Sequence, residues 1–307
     1  MKKIELHLHL DGSVRFETLK EFNKNMIKSD IVCDKNCDLE KYLSKFELPN
    51  EFMQTKENLT RVAKELAEDL KKDDVIYAEV RFAPMLHTKQ LSLEEVVEAV
   101  LIGLKSEKVK INLILCMMRN SSLEENKKII NLTYKYLNKG VVGIDLAGDE
   151  KKYKTAKFKE LFDLINKMNI PFTIHAGEAD GVDSILSAIK FGAKRIGHGV
   201  RCIDDENVID MIKEKNITLE ICPTSNIDTN IFKEYKDHPI KELYDKGILI
   251  TINTDNRTVS DITLTEEYNK LIANFNFTLE DLKKMNVNAI NSAFLSEEEK
   301  SILLKEI

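Results

Sequence analysis

Apolar and polar residues alternate near the start of the chain, in the stretch Ile4–Ser13, which reads IELHLHLDGS. A period of two predicts a β-strand, and side chains two positions apart share one face of a strand. We therefore expect His7, His9 and Asp11 on one face, opposite a face of leucines. Imidazole nitrogen and carboxylate oxygen are common zinc ligands, so this face is a candidate metal site.

The pattern then changes to apolar runs that alternate with segments of helical periodicity. Continuous apolar runs of this length are typical of buried parallel strands. The strands predicted after the first are Val75–Phe82, Ile111–Met118, Val141–Ala147, Phe172–His175, Arg195–Val200, Ile217–Cys222 and Ile248–Asn253. Capping boxes at Ser92–Glu95 and Ser122–Glu125 predict the starts of two of the helices between them.

Eight strands with helices between them predict an α/β fold, a (β/α)8 barrel of the TIM type. We expect one domain over residues 1–307, with a helical insertion over roughly residues 14–74, directly after strand one. An insertion of this length at that place would suit a lid. A doubly wound open sheet is the alternative fold, and it is disfavoured because no glycine-rich phosphate loop follows the first strand.

Composition restricts the class of partner. The 307 residues are 43% apolar and 32% charged with a net charge of −6, which disfavours binding to nucleic acid or to an anionic membrane. No apolar run approaches the roughly 20 residues of a membrane helix, and the early first strand leaves no room for a signal peptide. Five cysteines without paired metal spacing predict reduced thiols in the cytoplasm.

Polar residues gather where the predicted strands end, at the rim where barrels of this class carry their chemistry. Four of the six histidines lie there, whereas His238 is predicted to be a surface residue. The rim candidates beyond the first strand are Asp145, Gly148, His175, Gly177, Glu178, His198 and Asp255. Strands one and eight are neighbours in a barrel, so their polar ends are expected to converge.

Three imidazoles and one carboxylate of this rim are predicted to bind a divalent metal: His7, His9, His175 and Asp255. Such a set leaves a place for water, whose pKa a metal lowers toward neutrality. Glu178 lies three residues after His175, where it can give or take a proton. His198 is a candidate to orient or deprotonate the water.

These stretches resemble the adenosine deaminase family of the metal-dependent amidohydrolase superfamily, over nearly the whole chain. The matching segments are ELHLHLDGS, YAEVRFAP, GIDLAGDE, TIHAGE, IGHGVR, CPTSN, TINTD and NAINSAF. The resemblance implies hydrolysis of adenosine and 2′-deoxyadenosine to inosine and 2′-deoxyinosine, with release of ammonia and attack by a metal-bound hydroxide. It also implies one Zn²⁺ per chain and a purine nucleoside as the partner.

The resemblance further implies a role for each site residue. The implied zinc ligands are His7, His9, His175 and Asp255. Glu178 would protonate purine N1, while His198 and Asp255 would position the hydroxide that attacks C6. The implied substrate contacts are Asp11 at a ribose hydroxyl, the Gly148 N–H at N3, His9 and Asn256.

Asn256 departs from the family pattern, which usually has two consecutive aspartates after strand eight. Purine N7 only accepts hydrogen bonds, and an asparagine NH₂ donates at any working pH. We therefore interpret Asn256 as a functional replacement that faces N7.

Two alternatives remain open beside adenosine deamination: an adenine deaminase, and a nucleoside-binding relative without activity. Adenine-specific members of the family tend to carry Glu-Gly-Thr where this chain has Asp11-Gly12-Ser13, and they lack the DLAGDE run. Both features favour the nucleoside adenosine over the free base adenine as the substrate. An intact set of ligands together with Glu178 and His198 disfavours an inactive protein.

Overall fold

The computed structural model describes residues 1–37, 39–106 and 108–307. Within these residues the strands are β1 (Lys3–His9), β2 (Val75–Phe82), β3 (Lys110–Met118), β4 (Val141–Ala147), β5 (His175–Ala176), β6 (Arg195–His198), β7 (Thr218–Ile221) and β8 (Leu249–Ile252). They pair in parallel and in chain order as two halves, β1 to β4 and β5 to β8. Isolated parallel bridges join the halves, Leu8 with Asp255 and Ile144 with Phe172. This is the arrangement expected of a (β/α)8 barrel.

The helices surround the strands and also fill the predicted insertion. They are α1 (Phe16–Phe22), α2 (Leu39–Ser44), α3 (Glu47–Phe52), α4 (Lys56–Lys72), α5 (Leu93–Gly103), α6 (Leu123–Tyr136), α7 (Lys159–Lys167), α8 (Val182–Phe191), α9 (Glu206–Glu214), α10 (Pro223–Asp228), α11 (Ile240–Asp245), α12 (Leu264–Phe275), α13 (Leu279–Ser292) and α14 (Glu297–Leu304). Helices α1 to α4 lie between β1 and β2. Both predicted capping boxes form, at the starts of α5 and α6. Each described helix is too short or too polar to span a membrane.

The second half of the barrel has shorter strands than the apolar pattern predicts. Strand β5 contains two residues, because Phe172 makes only an isolated bridge to β4. Strand β6 ends at His198, whose φ of 60° lies in the left-handed region. Asp255, just after β8, has a φ of 61°. A residue with a left-handed backbone cannot continue a strand, so strand geometry is interrupted at these two positions.

The cysteines divide into two groups. Cys116, Cys202 and Cys222 are buried free thiols, as expected of small core residues. Cys33 and Cys37 are joined by a disulfide, so the prediction of reduced thiols is wrong for this pair. The two lie close together because they pack in one small cluster with Tyr42 and Val259.

A row of paired charges fills the interior of the barrel below the rim. Arg195 contacts Glu79 at 2.5 Å and Glu220 at 2.6 Å. Arg81 contacts Glu220 and Asp145, each at 2.9 Å. All five side chains are fully buried. Buried charges need such partners, and this row ends directly beneath the rim histidines.

Candidate active site

Three imidazoles and one carboxylate converge at the rim. The Nε2 atoms of His9 and His175 lie 3.2 Å apart. The Nε2 atoms of His7 and His9 each lie 3.4 Å from Oδ1 of Asp255. The His7 Nε2 atom is buried and has no hydrogen-bond partner among the described residues. A bare buried nitrogen beside other nitrogen and oxygen donors fits a divalent cation.

Carboxylates from the barrel interior orient two of these imidazoles. Nδ1 of His7 lies 2.8 Å from Glu220, and Nδ1 of His175 lies 2.9 Å from Asp145. Burial raises the pKa of Glu220, but the charges of Arg81 and Arg195 and the hydrogen bond with His7 together outweigh it and hold that pKa well below its ordinary range. A carboxylate behind a ring favours the proton on Nδ1, so Nε2 presents its lone pair to the cluster.

The structure brings all four predicted metal ligands together and adds His198 to the group. His7, His175, His198 and Asp255 each place a donor atom within 4.8 Å of the others. His9 joins them through the contacts with His175 and Asp255 described above. Burial holds the pKa of His9 well below its ordinary value. Its ring is therefore neutral at neutral pH, the state in which imidazole binds a metal.

Glu178 is the buried acid beside this cluster. Burial, together with the negative charge of Asp255, raises the pKa of Glu178 to about 8. Its Oε2 atom lies 3.7 Å from Nε2 of His198, and its Oε1 atom accepts a hydrogen bond from Asn226 at 3.2 Å. A carboxyl group with such a pKa holds a proton at neutral pH and can donate it.

Glu150 holds the loop that carries Glu178. Its carboxylate accepts hydrogen bonds from four consecutive backbone N–H groups, at positions 177 to 180, over distances of 2.5 to 3.0 Å. The side chain is buried, so water does not compete for these donors. Sequence reasoning placed Glu150 in the DLAGDE motif without assigning it a role.

A cavity of 410 Å³ opens above the cluster, a size that suits a small organic ligand. Asp11, Gly148 and Asn256, all predicted substrate contacts, line it together with His9, and the insertion contributes Tyr42. The Asn256 amide donates one hydrogen bond to the Tyr42 hydroxyl, at 2.9 Å. Among the described residues this is the only hydrogen bond that the Asn256 amide nitrogen donates. Burial raises the pKa of Asp11 to about 7.

Two glycines at the rim are required by the backbone. Gly148 has a φ of 102°, which L side chains rarely adopt. A Cβ at Gly12 would lie 1.9 Å from Oδ1 of the Asn256 side chain. Glycine at position 12 therefore lets the segment after β1 pack against Asn256.

His238 does not lie on the surface, so that prediction is wrong. The residue is 3% exposed, and its ring is buried against the rings of Phe232 and Phe275. Its Nε2 atom lies 3.2 Å from Oδ1 of Asn226, and the Asn226 amide nitrogen lies 3.1 Å from Nδ1 of His198. Sequence reasoning gave Asn226 no role either, although it belongs to the CPTSN motif and could have been found there.

Comparison with known proteins agrees with the motifs. The sequence profile of the adenosine deaminase family matches residues 2–307. The chain is 43% identical to the adenosine deaminase of Clostridium acetobutylicum over 325 residues, which cover 100% of this chain and 97% of that protein. The adenosine deaminase of Clostridium botulinum strain Hall is also 43% identical, over 99% of this chain and 96% of its own length.

Solved structures share the same barrel. The Arabidopsis N6-mAMP deaminase superposes with a TM-score of 0.90 at 26% identity, over 100% of this chain and 98% of that one. The adenine deaminase of Arthrobacter aurescens superposes with a TM-score of 0.86 at 24% identity, over 99% and 97%. These matches confirm the predicted (β/α)8 fold. With a profile that spans the chain and relatives aligned end to end, this protein belongs to the adenosine deaminase family.

Proposed function

We propose that this chain hydrolyses adenosine and 2′-deoxyadenosine to inosine and 2′-deoxyinosine, with release of ammonia. Full-length identity of 43% to proteins named adenosine deaminase supports this choice. The observation that carries it is Glu178, a buried carboxyl with a pKa raised to about 8, beside a cluster of three imidazoles and one carboxylate. A held proton and a metal-type donor set are the two requirements of hydrolytic deamination.

We propose that one zinc ion is bound in the cluster, held by His7, His9, His175 and Asp255. The bare, buried Nε2 atom of His7 supports this assignment, because a buried nitrogen without a partner is costly unless a ligand satisfies it. When bound, the ion supplies Lewis-acid chemistry that makes water reactive near neutral pH. The residues around it then position the substrate and move protons.

Glu178 is the proposed proton donor. Its proton passes to purine N1, which makes C6 electron-poor and open to addition of water. His198 and Asp255 orient the oxygen that attacks C6. The C6–O bond forms and the C6–N bond breaks. The water oxygen gives up both of its protons: one passes to the amino nitrogen, which leaves as ammonia, and the other restores the proton of Glu178. The net reaction consumes one water and conserves all other atoms.

Three residues of the cavity are proposed to position the nucleoside. Asp11 binds a ribose hydroxyl, and the Gly148 N–H binds N3. The second N–H of Asn256 faces N7, since Tyr42 uses only the first. His9 faces the same cavity and is proposed to contact the substrate as well.

An absorbance assay with adenosine, 2′-deoxyadenosine, adenine and adenosine monophosphate tests the proposed substrate. We expect kcat/KM for adenosine to exceed that for adenine by at least about 100-fold, because a site built to bind ribose hydroxyls penalises a base without them. The monophosphate belongs in the assay because a structural relative acts on N6-mAMP. A better rate with adenine or with the monophosphate would contradict the assignment.

Elemental analysis tests the proposed metal. We expect about one zinc per chain in protein purified without chelator, and loss of activity on chelation that added zinc restores. A stoichiometry far below one, with activity unaffected by prolonged chelation, would end this part of the proposal.

A further inference from the structure

We propose that His238 and Asn226 are positioning residues that determine which nitrogen of His198 and which oxygen of Glu178 carry a proton. The inference rests on the proposed deamination for its effect on rate. Its structural content stands independently, on a chain of hydrogen bonds that begins at a backbone amide. Each link in the chain fixes the next one.

The first link is the Ile240 backbone N–H, which lies 3.1 Å from Nδ1 of His238. A backbone N–H can only donate, so Nδ1 must accept and carries no hydrogen. Burial lowers the pKa of His238 to about 3, which keeps the ring neutral. Its single N–H is therefore on Nε2.

The second link is the Asn226 side chain, which is fully buried. Nε2–H of His238 donates to Oδ1 of Asn226 at 3.2 Å, and this hydrogen bond fixes the orientation of the Asn226 amide. The NH₂ group then faces Nδ1 of His198 at 3.1 Å and Oε1 of Glu178 at 3.2 Å. Both amide hydrogens are used, and both partners must accept.

The consequence falls on His198 and Glu178. Nδ1 of His198 accepts from the Asn226 amide and so carries no hydrogen, which leaves the ring neutral. With Nδ1 accepting, its hydrogen lies on Nε2. Oε1 of Glu178 accepts hydrogen bonds from both Asn226 and Thr229, as a carbonyl oxygen does, so the proton of Glu178 is assigned to Oε2, the oxygen 3.7 Å from that Nε2. His198 at rest is therefore a hydrogen-bond donor at Nε2, where it orients the water and does not deprotonate it.

A purely structural role for His238 is the competing explanation, because its ring packs 4.9 Å from Phe232 and 6.4 Å from Phe275. His238→Phe keeps an aromatic ring in this packing and removes both nitrogens. His238→Gln keeps an N–H near the position of Nε2. The two variants separate hydrogen bonding from packing.

We expect His238→Phe to lower kcat by about 10- to 100-fold with little change in KM, since the substrate still binds but the proton-bearing groups lose their orientation. His238→Gln should recover most of the loss. The matched control is His87→Phe, which changes a buried histidine that stacks on Phe82 outside this network, and it should keep the wild-type kcat. A kcat for folded His238→Phe within about threefold of wild type would overturn the proposal.

A second measurement reads the protons directly and does not depend on activity. Long-range ¹H–¹⁵N correlation of ¹⁵N-histidine-labelled protein distinguishes Nε2–H from Nδ1–H rings. We expect Nε2–H at both His238 and His198, and a switch of His198 to Nδ1–H in Asn226→Asp, whose carboxylate only accepts. An Nδ1–H ring at either histidine of the wild type would overturn the proposal, even if a variant fails to fold. If the spectra show the expected Nε2–H rings but adenosine is not deaminated, the proposed function is wrong, and the positioning role of His238 and Asn226 still holds.

Discussion

Two regions of this barrel bury carboxylates, and they do so with opposite results. In the interior, Glu220 and Asp145 have pKa values well below their ordinary range, although burial alone would raise them. At the cavity wall, Glu178 has a pKa raised to about 8 and Asp11 one raised to about 7. All four side chains are buried. The depth of burial therefore does not decide the outcome.

The charged neighbours decide it. Arg81 contacts both Glu220 and Asp145 at 2.9 Å. The pKa of Glu220 is lowered by Arg81 and Arg195. The pKa of Asp145 is lowered by His175 and Arg81, so both carboxyls stay ionised. The largest charge effect on Glu178 comes from Asp255, which is negative and raises the pKa further. The same residue type thus becomes a fixed support for an imidazole in one region and a proton carrier in the other.

The largest expected effect comes from removing the proton at the cavity wall. Glu178→Gln keeps the shape of the side chain but has no acidic proton, so we expect kcat to fall by roughly 10²- to 10⁴-fold. Metal content should be unchanged, because Glu178 is not a proposed ligand. Steady-state kinetics and elemental analysis of the variant check this. A rate within about threefold of wild type would move the acid role elsewhere.

Asp11, the second buried carboxyl of the cavity wall, should determine the preference for adenosine over adenine. Asp11→Ala should narrow the preference for adenosine over adenine from at least about 100-fold toward parity, chiefly by harming adenosine. The reason is that the ribose hydroxyl loses its partner, whereas adenine has none to lose. The measurement is kcat/KM for both substrates in both proteins. An unchanged ratio would show that Asp11 does not bind the ribose.

A change in the interior should act on the metal and leave the proton donor intact. Glu220→Gln removes the charge behind His7, and we expect metal affinity to fall by about 10- to 100-fold. Competition with a chelator of known affinity measures it. The matched control is Glu267→Gln, a buried glutamate bonded to Thr224, which should bind metal as wild type does. An equal loss of metal affinity in both variants would argue that the substitutions destabilise the folded protein in general and do not act through His7.

The last of these predictions concerns Asn256. An unpaired donor costs about 1–3 kcal/mol, so wild type should disfavour 7-deazaadenosine, which has carbon in place of N7, by about 5- to 150-fold in kcat/KM. Asn256→Ala should lose much of that discrimination. Equal discrimination in both proteins would mean that Asn256 does not read N7, and that its amide serves only Tyr42.

The sequence was sufficient to predict the barrel and the convergence of the four predicted metal ligands, for physical reasons. Strand and helix periods are local, and parallel order then places every strand end at one rim. Strands β2 (Val75–Phe82) and β4 (Val141–Ala147) have the predicted bounds. The short second-half strands were overpredicted, because left-handed residues such as His198 interrupt an otherwise apolar run.

The positioning groups could not be predicted in the same way. Glu150 binds the backbone of a loop 27 residues later, and no side-chain pattern marks a carboxylate that binds four amides. His238 meets Asn226 only after α10 and the segment that follows it have folded back together. The disulfide of Cys33 and Cys37 depends likewise on packing in the insertion. Contacts of this kind arise from tertiary structure and have no local period.

The difference between the two buried regions can be measured directly by a pH titration of ¹³C-labelled glutamate carboxyl groups in the metal-free protein. Spectra recorded from about pH 5 to about pH 10 are assigned with Glu178→Gln and Glu220→Gln. Glu178 should be protonated below its pKa and lose its proton as the pH rises through about 8, while Glu220 should stay ionised throughout. Added zinc should lower the pKa of Glu178, since positive charge stabilises a carboxylate. A Glu178 signal that is already a carboxylate at pH 6, about two units above an ordinary glutamate pKa, would contradict the account.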